Sequence, residues 1–239
     1  MNKKFLVMAL ILLPQSLCSM HIMEGFLPFN WAVIWWAVTI PFLFISFRRI
    51  KILIADKPYL KMLIVLAGAF AFVLSALKLP SVTGSSSHPT GVGLGTLMFG
   101  PFSMGALGLI VLLFQALLLA HGGLTTLGAN LFSMGVAGPL MAYAAYRVSK
   151  KIIRNRSASI FIAAFTGDLF TYVVTSFQLS LAYPDPAGGA AVSLTKFLGI
   201  FAITQIPIAV SEGLVTLLMM NILSRYAINE MKNLEELRA

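Results

Sequence analysis

The sequence predicts an all-α fold: a polytopic membrane helical bundle of seven transmembrane helices behind a cleaved signal peptide. Three observations carry that reading. The chain of 239 residues is 59% hydrophobic and only 10% charged, whereas a soluble domain normally carries about 25% charged residues. Its mean hydropathy is +0.91. Apolar runs recur along the whole chain, with basic patches between some of them, as cytoplasmic loops require. That clustering also accounts for the excess of 17 Lys and Arg over 8 Asp and Glu without nucleic acid as a partner, since no zinc finger, basic helix or aromatic-basic repeat is present. A single Cys provides neither a disulfide framework nor a thiolate metal site.

The first element is a leader, MNKKFLVMALILLPQSLCS, residues 1–19. Lys3 and Lys4 form a basic start, Phe5 to Leu13 a short apolar stretch, and Ser16 to Ser19 a small-residue cleavage zone. Cleavage after Ser19 makes Met20 the first residue, and residues 20–239 then form one transmembrane domain. Two alternatives are weaker. A lipidated Cys18 lacks the usual small residue before it. An uncleaved first helix is opposed by the shortness of the apolar stretch against the roughly 20 residues of a span.

Apolar runs follow at 31–47, 60–79, 90–102, 104–120, 123–146, 158–182 and 190–223. Basic patches lie after the first (Arg48, Arg49, Lys51, Lys57, Lys61), the fifth (Arg147, Lys150, Lys151, Arg154, Arg156) and the last (Arg225, Lys232, Arg238). With the N-terminus outside and the patches inside, the parity closes at seven crossings. The weakest member is 90–102, because thirteen helical residues cover about 20 Å of a hydrocarbon core of about 30 Å. The many glycines of the third to fifth runs read mainly as close helix packing.

Three histidines, His21, His88 and His121, fall toward the outer side on this topology. With Met20 first, its free amine, the backbone nitrogen of His21 and the His21 Nδ1 can close fused five- and six-membered chelate rings around one ion. Such an all-nitrogen site suits late first-row divalent ions: nickel, copper and cobalt. The α-amine has an ordinary pKa near 8 and loses its proton at modest cost. His88, in a polar stretch with Ser85, Ser86, Ser87 and Pro89, is the choice for the fourth ligand. His121, beside two glycines at the end of an apolar run, reads first as a helix-terminal histidine bonded to backbone and second as a ligand. Glu24 is placed to neutralise a bound cation or to pin the N-terminal segment. Asp168 and Glu212 lie inside apolar runs, where a carboxylate is costly and marks a functional or bundle-holding position. Asn130, Gln115, Gln178 and Gln205 read as hydrogen bonds across helices. No Walker A sequence, HExxH or GxSxG is present, so the chain reads as a non-catalytic component. Uphill movement of an ion would need a gradient or an ATP-hydrolysing partner.

Three stretches together resemble a known family: MHIMEGFLP at 20–28, PSVTGSSSHPTGVGLG at 80–95 and HGGLTTLGANLFSMGVAGP at 121–139. They are similar to the substrate-binding membrane subunit of cobalt energy-coupling-factor transporters, with the nickel subunit closely related. The resemblance spans essentially the whole mature chain. It implies a seven-helix bundle in the cell (plasma) membrane, N-terminus outside and C-terminus inside, that takes up Co(II) for cobalamin biosynthesis. It implies metal ligands at Met20, His21 and His88. It further implies three partners: a small accessory membrane subunit, a coupling transmembrane subunit and a cytoplasmic ATPase. No cofactor is expected beyond the transported ion. The remaining alternatives are a nickel-specific subunit, a gradient-driven secondary transporter using Asp168 and Glu212, and a scaffold whose histidines bind nothing.

Overall fold

The structure, a computed structural model, describes residues 21–77, 79–80 and 86–236. The leader, Cys18 and Met20 lie outside the described residues. The elements run α1 (Phe29–Asp56), α2 (Leu60–Ala76), β1 (Leu79–Pro80), β2 (Ser86–Ser87), α3 (Val92–Phe99), a 3₁₀ turn (Pro101–Ser103) leading into α4 (Met104–Leu119), α5 (Leu127–Leu131), a π-wound segment (Phe132–Ala137), α6 (Gly138–Ile152), α7 (Arg156–Ala182), α8 (Gly189–Tyr226) and α9 (Ile228–Glu236). The two short strands pair antiparallel, Leu79 opposite Ser87, and bring the chain back toward the bundle after α2.

The seven-crossing expectation is corrected here. Among the described residues, three helical stretches are long and apolar enough to cross a membrane: Pro101–Leu119, Arg156–Ala182 and Gly189–Tyr226. The other apolar runs fold differently. Residues 90–102 hold the eight-residue α3, about 12 Å long and buried throughout, and the start of the 3₁₀ turn. Residues 123–146 divide into a loop, the five-residue α5, the π-wound segment and the first half of α6. Helix α2 is apolar but has only 17 residues. Helix α1 contains Pro41 and turns basic from Arg48 onward. Apolarity marks a helix surrounded by protein as readily as one surrounded by lipid, so runs in sequence overcount spans. The last run is one continuous 38-residue helix through Pro207.

Helix α3 is the centre of the packing, in contact with α2, α6, α7 and α8. Its entry depends on Gly91, whose φ is +69° and whose added Cβ would lie 2.6 Å from the Ala71 Cα. A side chain there would be both strained and blocked by α2. The larger apolar core gathers Leu60, Leu94, Leu97, Met104, Leu131 and Ile160 around α3, and a second core of Ile22, Trp35, Tyr172 and Phe201 lies beside the N-terminal segment. Bulky apolar side chains such as Phe44, Val65, Phe114, Leu118, Ile203 and Leu218 are exposed on the outside, while Gln115, Asp168, Gln178, Gln205 and Glu212 are buried inside. That inversion is what a lipid-facing bundle requires: apolar outside, with its polar groups bonded to one another within.

The two ends differ in chemistry. At one end the N-terminal segment meets the α7–α8 loop, where the Tyr183 hydroxyl donates to the Phe26 carbonyl. In that loop Asp185 meets Lys196 of α8, whose Nζ sits 2.5 Å away and, with the Ala187 and Gly188 N–H groups, holds the Asp185 carboxyl down to about 2. At the other end Arg154 has a left-handed backbone (φ 55°) and the Asn155 side chain caps α7 by accepting from the Ala158 N–H at 3.1 Å. These break the chain between α6 and α7, and Arg156 reaches across to Ser224 at 2.9 Å. The basic residues 147–156 therefore lie at the end away from the N-terminal segment.

Candidate metal centre

All three histidines converge. His21, His88 and His121 are 2%, 0% and 1% exposed, and their ring centroids are 4.5 Å (21–88), 4.6 Å (21–121) and 4.8 Å (88–121) apart. One nitrogen from each lies within 4.8 Å of the others. Two nitrogens on one ion at about 2 Å each stand roughly 3–4 Å apart, so the rings are close to ligating separation. They arrive from three chain segments: the N-terminal stretch before α1, the β2–α3 connection and the α4–α5 loop.

His21 is held by the strand of chain that follows it. Asn130 grips Ile22 on both sides, its Oδ1 accepting the Ile22 N–H at 2.8 Å and its Nδ2 donating to the Ile22 carbonyl at 3.0 Å. The Thr126 hydroxyl donates to the same carbonyl at 2.6 Å. Farther out, Gly25 N–H donates to Thr125 Oγ1 and Thr125 N–H donates to Glu24, both at 3.2 Å. Of the two roles expected for Glu24, the hydrogen bonds correspond to pinning the segment. Thr125 beside it holds the Glu24 carboxyl below its usual range.

His121 follows Ala120, whose left-handed backbone (φ 47°) ends α4. Its main-chain N–H donates to the Gln115 carbonyl at 3.1 Å, and the side chain points inward and joins the other two rings. Gly122, at φ +76°, lies against this cluster; a Cβ there would be 3.4 Å from the His21 Cβ and 3.2 Å from Asn130 Nδ2.

His88 is held through its neighbours. Its Nδ1 lies 3.0 Å from the Pro89 carbonyl. A carbonyl only accepts, so Nδ1 carries the proton and the lone pair is on Nε2. This arrangement, a backbone carbonyl taking one ring proton, orients the other nitrogen of metal-binding histidines. Ser87 Oγ is 2.9 Å from Thr204 Oγ1 and 3.4 Å from the Tyr172 hydroxyl. Gln205 Nε2 donates to the His88 carbonyl at 3.3 Å and to Asp168 at 2.6 Å. The Thr90 N–H donates to both Asp168 (3.2 Å) and Glu212 (2.5 Å), and its hydroxyl donates to Glu212 at 3.0 Å. Asp168 and Glu212 thus do not face the rings. They tie the chain two residues past His88 to α7 and α8.

Gln115 and Gln178 make the interhelical bonds expected of them, to Ser75 Oγ at 2.6 Å and to the Ala129 carbonyl at 3.0 Å. Three participants escaped the sequence reading. Thr90 and Thr126 had a faint signal, each a short step from a residue already singled out. Met134, whose Sδ lies 3.4 Å from His21 Nε2, had none.

Comparison with known proteins identifies the family of the chain. The family model described as "Cobalt uptake substrate-specific transmembrane region" matches residues 21–229. The cobalt transport protein CbiM of Moorella thermoacetica is 56% identical over 230 residues, covering 96% of this chain and 89% of the relative. That of Thermosipho melanesiensis is 57% identical over 228 residues, covering 95% and 96%. A crystal structure of a truncated transition metal transporter shares the fold, with a TM-score of 0.74 and 23% identity, over 86% of this chain and 99% of that one. The chain is a multi-pass helical membrane protein and belongs to the CbiM family, the non-catalytic substrate-specific transmembrane components of multi-subunit cobalt uptake systems.

Proposed function

We propose that this chain captures extracytoplasmic Co(II) at the three-histidine cluster and hands it inward for ATP-driven import serving cobalamin biosynthesis. The convergence of three buried imidazoles from three separate segments carries the reading. Met20, His21 and His88 form the ligand set: the Met20 amine, the His21 backbone nitrogen and Nδ1, and His88 Nε2. His121 stands as the third imidazole around the ion. Nitrogen donors alone suit Ni(II) as well as Co(II), so membership of the family selects cobalt. Leader removal before Met20 creates the amine ligand. The cluster end is extracytoplasmic, and the end carrying Arg147, Lys150, Lys151, Arg154 and Arg156 faces the cytoplasm. The partners are a small accessory membrane subunit, a coupling transmembrane subunit and a cytoplasmic ATPase, which supplies the energy.

Titration of the processed protein with Co(II) and Ni(II) tests this. His21→Ala should abolish measurable binding, and His88→Ala should remove most of it. A larger loss from His121→Ala than from His88→Ala would reassign the distant ligand. Wild-type affinity in all three would sink the site. Uptake that survives loss of the ATPase and stops with an uncoupler would favour a gradient-driven carrier instead.

A further inference from the structure

The contact between His21 and Met134 assigns a role to a residue outside the ligand set. Met134 is fully buried on the π-wound segment. Thr126, Asn130 and Met134 follow one another at intervals of four, so they line one face. The first two hold the backbone of Ile22. The third meets the ring of His21, Sδ to Nε2 at 3.4 Å. A thioether has no proton to give and accepts only weakly. The contact is therefore an Nε2–H pointing at sulfur, which puts the lone pair of the neutral ring on Nδ1. That is the nitrogen able to close a six-membered ring with the His21 backbone.

The segment carrying Met134 has little room to move. A Cβ added at Gly135 would lie 3.4 Å from the Gly105 Cα and 3.5 Å from the Met104 carbonyl oxygen, so the π-wound turn is seated directly on the α4 backbone. Single-turn π insertions of this kind re-aim a side chain and recur at functional sites.

We infer that Met134 is a positioning residue: its thioether accepts the His21 Nε2–H and holds the ring in the tautomer and orientation that offer Nδ1 to the ion. This inference rests on His21 being a ligand, and its test is separable from that reading. Nitrogen-15 NMR of the metal-free processed protein should show His21 as the Nε2–H tautomer. Met134→Leu keeps the volume and removes the acceptor. It should give a mixed His21 tautomer and weaken Co(II) binding by about tenfold, the low end for loss of an outer partner of a metal ligand. Met134→Gln restores an acceptor of similar reach and should recover the tautomer and most of the affinity, which a purely packing role would not produce. An unchanged tautomer in Met134→Leu would overturn the inference. So would a sulfur scatterer in the first shell of the Co(II)-loaded protein by X-ray absorption, which would make Met134 a ligand. Failure of wild-type protein to bind Co(II) at all would instead overturn the site reading and leave the tautomer result standing.

Discussion

The segments carrying His21 and His88 meet in one cluster but are held by opposite means. His21 hangs mainly on neutral groups of one stretch of chain, Asn130 and Thr126 on Ile22 and Thr125 on Gly25 and Glu24, with Tyr183 bonded to Phe26 farther along. His88 hangs on carboxyl and amide groups of the two long helices α7 and α8, through Asp168, Gln205 and Glu212. The difference teaches which elements hold which half of the site. The His88 segment is tied directly to both α7 and α8, while the closest ties of the His21 segment run to residues 125–130.

Breaking the acid side should cost most. Glu212→Ala removes both acceptors of the Thr90 hydroxyl and one of the Thr90 N–H. It should lower unfolding stability in detergent by about 2–3 kcal/mol, the penalty for buried partners left without a bond. It should also perturb the His88 NMR signals more than those of His21. Asn130→Ala makes the converse cut. It should cost about 1–2 kcal/mol, less because Thr126 still holds the Ile22 carbonyl, and it should broaden His21 while sparing His88. Equal perturbation of both rings by either variant would show that the halves are not separately held. Ser87→Ala removes one hydroxyl bridge to α7 and α8 and should cost about 1 kcal/mol or less.

The smallest effect is the pH response at Glu24. Its carboxyl is held below the usual range by Thr125, so its folded value lies under its unfolded one. The tie is therefore fully present above the ordinary carboxylate range, near 4, and is lost as pH falls through the lowered folded value. Hydrogen exchange at Gly25 and Phe26 should rise in acid in the wild type, and Glu24→Gln should flatten that response. An identical acid profile in the variant would remove Glu24 as an anchor.

The sequence was most informative where chemistry is scarce. A chain with three histidines draws attention to each, and the motif around each carried the family resemblance. His121 reads in sequence as a backbone-bonded terminus because its neighbours are apolar residues and glycine. Only the left-handed turn at Ala120 redirects it inward, and a backbone reversal at an alanine leaves no mark in composition. Span counting failed for a related reason. Helix α3 is as apolar as any span, and its eight residues are short because protein surrounds them on every side. Asp168 and Glu212 stood out as carboxylates in apolar runs, but their partner, the peptide at Thr90, is 78 and 122 residues away. Met134 was illegible because its role depends on winding in residues 132–137 that no periodicity predicts.

The central claim, that leader cleavage creates a metal ligand, is tested most directly by calorimetric Co(II) titration of two processed proteins of verified N-terminal mass. One begins at Met20; the other carries a single alanine before it. The extra residue displaces the amine from the chelate, so binding should fall by roughly two orders of magnitude, about 2.7 kcal/mol. Equal affinity in the two proteins would contradict the account.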